Sequence, residues 1–319
     1  MSIGVMVLNY NGSRWLAPLY TALRQQTCAS LHVYLVDNAS QDNSVPLTQS
    51  DFPEVTVLRM PRNLGYSMAY NAALAHALAD GCEWVIWANN DIRLEPDCIA
   101  ELARAACQDE NIGILGPAFL GWDNDEPNYY MKGAHPQAIN AMRRHESTPL
   151  EVDWVEGSFL MVSRRCIEDT GPLDPYLYFY WEEADFCRRA RFNGWKVALV
   201  PSALARHYAG GSTASEKSGK FDRLKKRNYY IFTLANPNQA WGRNLIDAMH
   251  LLLVRLKAGW LRREVEILDE LKVFFSTLSA WRTIRNKWHR DRSGGQPPSL
   301  SADEGSVQVE IIRGRESPA

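Results

Sequence analysis

Three polar clusters and one histidine carry side chains able to do chemistry. Asn89-Asn90-Asp91 closes a short apolar run, Trp84 to Ala88. A carboxylate at a strand tip is rigid and faces solvent. Hard divalent ions such as Mg2+ or Mn2+ take oxygen ligands and share them with substrate phosphates. Asp91 is either a ligand of that kind or a cap on the turn that follows. Asp37-Asn38-Ala39-Ser40-Gln41-Asp42 follows a second apolar run, His32 to Val36. Its acceptors and amides suit the edge of a nucleobase, or an Asx turn. Glu182-Glu183-x-Asp185 opens a basic helical segment. Adjacent carboxylates on a helix point to different faces, so one of them faces a cleft and can take a proton from an attacking hydroxyl. The alternative is that they neutralise Arg188, Arg189 and Arg191, and this applies to Asp185 in particular. His207, just past a strand, is a structural hydrogen-bonder or a ligand.

The elements that must position these groups alternate. Ile3 to Leu8 reads as a buried strand, followed by a loop with Asn9, Asn11 and Gly12 and a helix from Trp15 to Gln26. His32–Val36, Val55–Arg59 and Trp84–Ala88 read as further strands. Ser67–Ala79 and Pro96–Cys107 read as helices, the latter with proline at its start, where the missing N–H does no harm. This alternation predicts an α/β fold with a mostly parallel sheet covered on both faces. Ligands bind such sheets at the carboxyl ends of the strands. Asn9–Gly12, Asp37–Asp42 and Asn89–Asp91 all fall there, which predicts one crevice. Gly116 to Leu150 is expected to form loops and short strands over the site. Val152 to Ser163 is strand-like around Glu156-Gly157-Ser158, and Trp195 to Val200 is another strand. Residues 243–292 read as helices. From Ser293 the chain is rich in Gly, Pro, Ser and acid and is expected to be disordered.

Composition narrows the class. The 319 residues carry 35 Lys plus Arg against 37 Asp plus Glu, which excludes a nucleic-acid coat and an acidic disordered chain. Eleven Trp, 13 Tyr and 10 Phe supply stacking surfaces or, in larger share, a well-filled core. None of the six cysteines forms a CxxC pair, which removes zinc-knuckle and thioredoxin readings. The opening MSIGVMVLNYNG has no secretory pattern, so reduced thiols in the cytoplasm are expected, and the Asn-x-Ser matches at Asn11 and Asn38 are chance. No apolar run reaches membrane-spanning length. Between Arg255 and Arg292 there are ten Lys or Arg against five Asp or Glu, beside Trp and Leu. Such helices suit a membrane surface, or pack on the catalytic domain or a second copy of the chain as a homodimer.

Taken in order, the chain reads Val7-Leu8-Asn9-Tyr10-Asn11-Gly12, Val36-Asp37-Asn38-Ala39-Ser40-x-Asp42, Asn63-x-Gly65-Tyr66 with Asn71, Asn89-Asn90-Asp91, Glu156-Gly157-Ser158, Glu182-Glu183-x-Asp185-x-x-x-Arg189 and His207-x-x-Gly210-Gly211-Ser212. Over about residues 1–235 this order resembles the family 2 glycosyltransferases of the GT-A fold. It looks most like the bacterial rhamnosyltransferase branch, which also contains galactofuranosyl and glucosyl transferases. The resemblance implies a Rossmann-like central sheet with flanking helices, extended here by C-terminal amphipathic helices. Its catalytic domain would span 1–240, with a nucleotide half at about 1–120 and an acceptor half at about 121–240. A basic helical extension at 241–292 and a tail at 293–319 would follow.

Residue by residue, the resemblance makes Asp37, with Asn38, the base reader. Asn9 and Asn11 fall in the nucleotide loop, with Asn63 and Gly65 beneath the nucleotide and Asn71 beyond. Asn89 stands where the metal-binding motif often has its first aspartate, Asn90 follows it, and Asp91 matches the final, metal-binding one. His207 matches a histidine that completes the metal site for Mg2+ or Mn2+. Glu183 matches the catalytic base of an inverting displacement, with Glu182 or Asp185 as substitutes. Trp154, Glu156, Gly157, Trp181 and Glu182 fall in the acceptor and sugar pocket.

The donor implied is dTDP-L-rhamnose, with UDP-hexoses or UDP-galactofuranose next. A missing 6-hydroxyl favours an apolar wall, for which Trp154, Phe159 or Trp181 are candidates. The acceptor implied is a saccharide or lipid-linked saccharide of a bacterial cell-surface polysaccharide, met at the cytoplasmic face of the inner membrane. No nucleic-acid partner is implied. Two other classes stay open. A nucleotidyltransferase needs a Gly-rich basic phosphate loop, where residues 9–14 read Asn-Tyr-Asn-Gly-Ser-Arg. A non-catalytic nucleotide-sugar-binding protein would bind without turnover.

Overall fold

The computed structural model describes residues 1–27, 31–208, 219–262, 267–297 and 307–313. In chain order the first elements are β1 (Ile3–Asn9), α1 (Ser13–Arg24), β2 (Leu31–Asp37), α2 (Ser44–Asp51), β3 (Thr56–Arg59), α3 (Gly65–Ala79), β4 (Trp84–Asn89), β5 (Ile92–Leu94), α4 (Cys98–Ala106) and β6 (Ile112–Leu120). Then come α5 (Tyr129–Ala134), α6 (Ile139–Arg143), β7 (Leu150–Glu151), β8 (Phe159–Ser163), α7 (Arg164–Thr170), α8 (Glu182–Phe192) and β9 (Lys196–His207). The last are α9 (Lys220–Leu234), α10 (Trp241–Arg262), α11 (Ile267–Ser279), α12 (Trp281–Arg292) and β10 (Glu310–Ile312).

One mixed sheet runs β10-β3-β2-β1-β4-β8-β6-β9-β5, with β7 beside β9. Its first half is parallel from β3 to β4, and the register aligns the polar strand ends. Asn9 stands opposite Asp37, and Leu8 opposite Asn89. The fully buried interior of β1, Ile3 to Val7, explains why that strand reads as an unbroken apolar run. Helix α1 buries Leu16, Leu19, Tyr20 and Leu23, the spacing of a one-sided amphipathic helix. The second half of the sheet is interleaved. β8 runs antiparallel to β4 and β6, while β6 and β9 are parallel.

Two regions differ from the sequence expectation. Gly116–Leu150 is not a set of loops and short strands. Its first residues complete β6, buried over all nine positions, and the helices α5 and α6 follow. Pro117 falls where the pairing with β9 is interrupted, since β9 advances from Val200 to Leu204 between the partners of Pro117 and Ala118. The expected disordered tail returns at residues 307–313, where β10 adds an antiparallel strand to β3 and Val307, Val309 and Ile312 pack on the core.

Helices α9 to α12 build a second, smaller core from Tyr230, Ile231, Leu234, Ala248, Leu252, Val273, Phe274 and Ile284, joined by Leu177 from the segment before α8. It begins at α9, ahead of the expected boundary at residue 241. Beneath it lies a buried charge network. Asp185 meets Arg188 at 2.9 Å, Arg189 at 3.1 Å and Lys287 at 2.9 Å. Lys287 also meets Asp174 at 3.0 Å and Asp291 at 2.8 Å, and Arg290 bridges the same two aspartates. Burial alone would raise the Asp185 carboxyl, but Lys287, Arg189 and Arg188 outweigh it and hold it far below the ordinary range. Helix α12 is thereby locked to α8.

Lys287→Met would leave three buried aspartates without their shared cation. The expected loss is about 3–5 kcal/mol of stability, read as a lower urea midpoint. An unchanged midpoint would mean that the network does not hold α12 in place.

Candidate active site

A cavity of about 330 Å3 opens at the carboxyl ends of the parallel strands. Its lining is of two kinds. Asn38, Asn63, Asn89, Asn90, Asp91 and His207 are polar. Tyr66, Tyr130, Tyr178, Phe179, Tyr180 and Phe221 are aromatic, and Lys225 also lines it.

The polar residues form a network of amides. The Asn9 side chain, buried, donates to Ser40 Oγ at 3.1 Å and accepts from Asn90 Nδ2 at 2.6 Å, tying β1, β2 and β4 together. Asn38 Nδ2 donates to Asn63 Oδ1 at 3.0 Å and to the Gly65 carbonyl at 3.1 Å, and Asn38 Oδ1 accepts from Leu64 N at 2.7 Å. Asn11 sits at positive φ, and its side chain accepts from Gln41 N at 2.8 Å. Gly65 has φ +75°, and a Cβ there would lie 2.4 Å from the Tyr178 ring, so only glycine lets that ring pack there.

His207 holds two carboxylates together. Its Nδ1 lies 2.7 Å from Glu156 and its Nε2 3.3 Å from Asp91. Burial opposes charge on the ring, but the hydrogen bonds to Asp91 and Glu156 prevail and raise it to about 9. Glu156 is buried, and its other carboxylate oxygen has no hydrogen-bond partner. Among the described residues no group of three His, Cys, Asp or Glu side chains is arranged to hold a metal ion. Asp91 would offer a carboxylate and His207, once its Nε2 proton is given up, an imidazole nitrogen at the cavity wall. That donor set suits Mg2+ or Mn2+ sharing its remaining positions with a diphosphate and water.

The three acids of α8 have three different fates. Asp185 is consumed by the charge network and is removed as a candidate base. Glu182 is buried, with one oxygen unsatisfied; burial first, then Glu183 and Asp185, push its carboxyl up well above the ordinary glutamate range. Glu183 remains partly exposed. Burial pushes it up to about 7, aided by Glu156 and opposed by its own and Ala184's backbone N–H and by Lys225. A Cβ on Gly157 would lie 2.9 Å from Glu183 Cγ, so that glycine makes room for the carboxylate arm.

The segment leading into α8 is strained. Tyr178, Tyr180 and Trp181 all have positive φ, at 38°, 71° and 73°. Each costs about 1–3 kcal/mol. Helix α9 supplies the opposing contacts. Asn228 Nδ2, buried, donates to the carbonyls of Leu177, Phe179 and Tyr180 at 2.8, 2.9 and 2.9 Å. Trp181 stacks face to face on Tyr229, with ring centroids 4.4 Å apart.

Several residues expected in the site lie elsewhere. Asn71 binds both backbone groups of Leu173 and fixes a loop. Trp154 packs on the core and against His135, Phe159 is fully buried in β8, and Trp181 is spent on Tyr229. The aromatic residues that do line the cavity are tyrosines and phenylalanines. Glu156 supports His207 rather than facing the acceptor side. Asp37 is fully buried, so it does not reach the cavity wall. Gly210, Gly211 and Ser212 lie outside the described residues. Sequence reading missed Tyr130, Phe221, Lys225 and Asn228, which have no local signal. The aromatic run before Trp181 was the one visible hint of Tyr178 to Tyr180.

Fold and site together define a nucleotide-binding α/β enzyme of GT-A architecture. The family model described as Glycosyl transferase family 2 matches residues 4–171, more than half of the chain, and the chain belongs to that family. It is a glycosyltransferase that uses a nucleotide sugar and acts on a saccharide or lipid acceptor. The N-acetylglucosaminyl-diphospho-decaprenol L-rhamnosyltransferase of Mycobacterium tuberculosis is 29% identical over 265 residues, 75% of this chain and 86% of that protein. The dTDP-rhamnosyl transferase RfbF of Shigella flexneri is 26% identical over 66% of this chain and 70% of its own length. Among solved structures, S. aureus TarS 1-349 in complex with UDP-GlcNAc superimposes with TM-score 0.60 at 16% identity, covering 100% of this chain and 98% of that one. Mannosyltransferase PcManGT from Pyrobaculum calidifontis, in complex with GDP-Man and Mn2+, gives 0.52 at 16% identity, over 92% and 84%. At these identities the structural likeness is one of fold.

With Glu183 as the proton acceptor, only its ionised form works, and activity falls as pH drops through about 7 rather than through the ordinary glutamate range. A pH profile of kcat/KM checks this. Glu183→Gln should lower kcat by about 10²-fold or more with donor KM little changed, and an acid limb near pH 4.5 would contradict the assignment.

Proposed function

We propose an inverting, metal-dependent rhamnosyltransferase. The observation that carries this reading is a cavity lined by asparagines, Asp91 and His207, together with the Glu183 carboxylate, raised to about 7, in the first turn of α8. Asp91 and His207 would hold Mg2+ or Mn2+, which when bound offsets the charge developing on the leaving diphosphate. Asn38, Asn63, Asn89 and Asn90 orient the donor. Glu183 takes the acceptor hydroxyl's proton as that oxygen displaces the nucleotide from the opposite face, inverting the anomeric carbon. No covalent enzyme intermediate is required.

The donor is proposed as dTDP-L-rhamnose. Two relatives that carry rhamnosyltransferase names support this. Turnover of dTDP-L-rhamnose and UDP-glucose, followed by nucleotide release, tests it. We expect dTDP-L-rhamnose to be preferred and Asp91→Ala or excess chelator to abolish release. A clear preference for UDP-glucose would overturn the donor while leaving sugar transfer intact.

A lipid-linked acceptor at the cytoplasmic face of the inner membrane is part of the proposal. No helix among the described residues is long and apolar enough to cross a membrane. Helices α10 and α11 instead expose Leu245, Ile246, Met249, Leu253, Val254, Leu268 and Phe275, with Trp281 following. Lys257, Lys272, Arg282 and Arg285 are exposed on the same helical extension, a combination suited to an anionic bilayer surface. Because α12 is locked to α8, surface substitution is a cleaner test than truncation. The Ile246→Ser/Leu253→Ser double variant should sediment with phosphatidylglycerol liposomes at least about tenfold less than wild type. Equal sedimentation would remove the membrane reading.

A further inference from the structure

We propose that Lys225 is a specificity-determining residue that takes a phosphate carried by the acceptor, so that a sugar phosphate or diphosphate is selected over the same sugar without one. The proposal rests on the transferase reading above and names the acceptor chemistry that its site would take.

Helical spacing sets the face of α9 that meets the cavity. Phe221 and Lys225 are one turn apart and both line it. Asn228 and Tyr229 continue the stripe onto the segment that leads into α8. The adjacent Lys226 has a different fate. It is buried and meets Asp222 at 2.7 Å, Asp269 at 3.7 Å and Glu270 at 3.9 Å. Arg223 is also matched, by Asp269 at 2.7 Å. Lys225 is exposed, and no carboxylate pairs with it among the described residues. Its Nζ lies 5.7 Å from the centre of the Tyr180 ring. Among the described residues it is the one Lys or Arg on the lining of this cavity.

Position decides which anion that cation meets. The donor's diphosphate is matched by the metal that Asp91 and His207 would hold. The charges that weigh on His207 are those of Asp91 and Glu156. Lys225 stands instead with Phe221 and Tyr180, and its charge acts on Glu183, whose carboxyl it lowers against the effect of burial. On the reading above, Glu183 takes the acceptor hydroxyl's proton. A phosphate on the anomeric oxygen of a sugar lies within about one ring's width of each of that sugar's hydroxyls. With the reacting hydroxyl at Glu183, such a phosphate comes within reach of the lysine's flexible four-carbon arm. An ammonium acts as a point charge, so it serves a phosphate and a diphosphate alike. A neutral acceptor would leave Lys225 without a charged partner, whereas an anionic one gains a charge-assisted hydrogen bond.

Calorimetric titration of the full-length protein, with dTDP and Mg2+ saturating the donor site, compares geranyl diphosphate with geraniol, which share one lipid chain. Wild type should bind geranyl diphosphate about tenfold or more tightly than geraniol. Lys225→Met should lose that preference, Lys225→Arg should keep it, and both should bind dTDP as wild type does. A Lys225→Met protein that keeps the wild-type preference, or a wild type without one, would overturn the assignment. So would a weakened affinity of Lys225→Met for dTDP, because the lysine would then serve the donor's diphosphate. Failure of the wild type to bind dTDP or UDP would instead overturn the nucleotide-sugar reading on which the assignment rests.

Discussion

The position of α8, the helix that carries Glu182 and Glu183, depends on a buried cluster of three aspartates and four basic side chains. Asp185 lies one place beyond Ala184 from Glu183, and its carboxylate is gripped by Arg188 and Arg189 from its own helix and by Lys287 from α12. Buried ion pairs add little net stability, because desolvation consumes most of the Coulomb energy. Losing one partner is costly, however, and that asymmetry makes the cluster a register lock. Any slide of α8 against α12 would strand a charge. The C-terminal helices are therefore part of the scaffold that aims the glutamates.

That lock also makes the strained approach to α8 tolerable. Three left-handed non-glycine residues in four positions would together cost several kcal/mol. Each hydrogen bond from Asn228 returns about 0.5–1.5 kcal/mol and the Trp181–Tyr229 stack a similar amount. Helix α9 sits between the segment it holds and the second core that holds it. The same helix contributes Phe221 and Lys225 to the cavity. One element thus lines the cavity and braces the chain that leads to Glu183.

Glu182, Glu183 and Asp185 show how environment divides labour among residues of the same type. All three lie in the first turn of α8. Surrounding cations hold Asp185 far below the ordinary range, burial pushes Glu182 well above it, and Glu183 is raised to about 7.

Periodicity and composition alone determined the alternating strands and helices of the first half, and the meeting of Asn9, Asp37 and Asn89–Asp91 at one sheet edge. Those features are local: an apolar run of strand length, a polar turn, an amphipathic repeat. The motif order also drew attention to Asp91, His207 and Glu183; the structure puts Asp91 and His207 on the cavity lining and Glu183 in the first turn of α8. Only the tertiary structure decided which carboxylate is spent on charge, which aromatic side chains face the cavity and where the tail goes. Lys287 is 102 residues from Asp185. Asn228 is 48 to 51 residues from the carbonyls it holds. Strand β10 pairs with a strand more than two hundred residues earlier. Nothing in a short window records such a partner, because burial and pairing belong to the space between elements and not to the elements themselves.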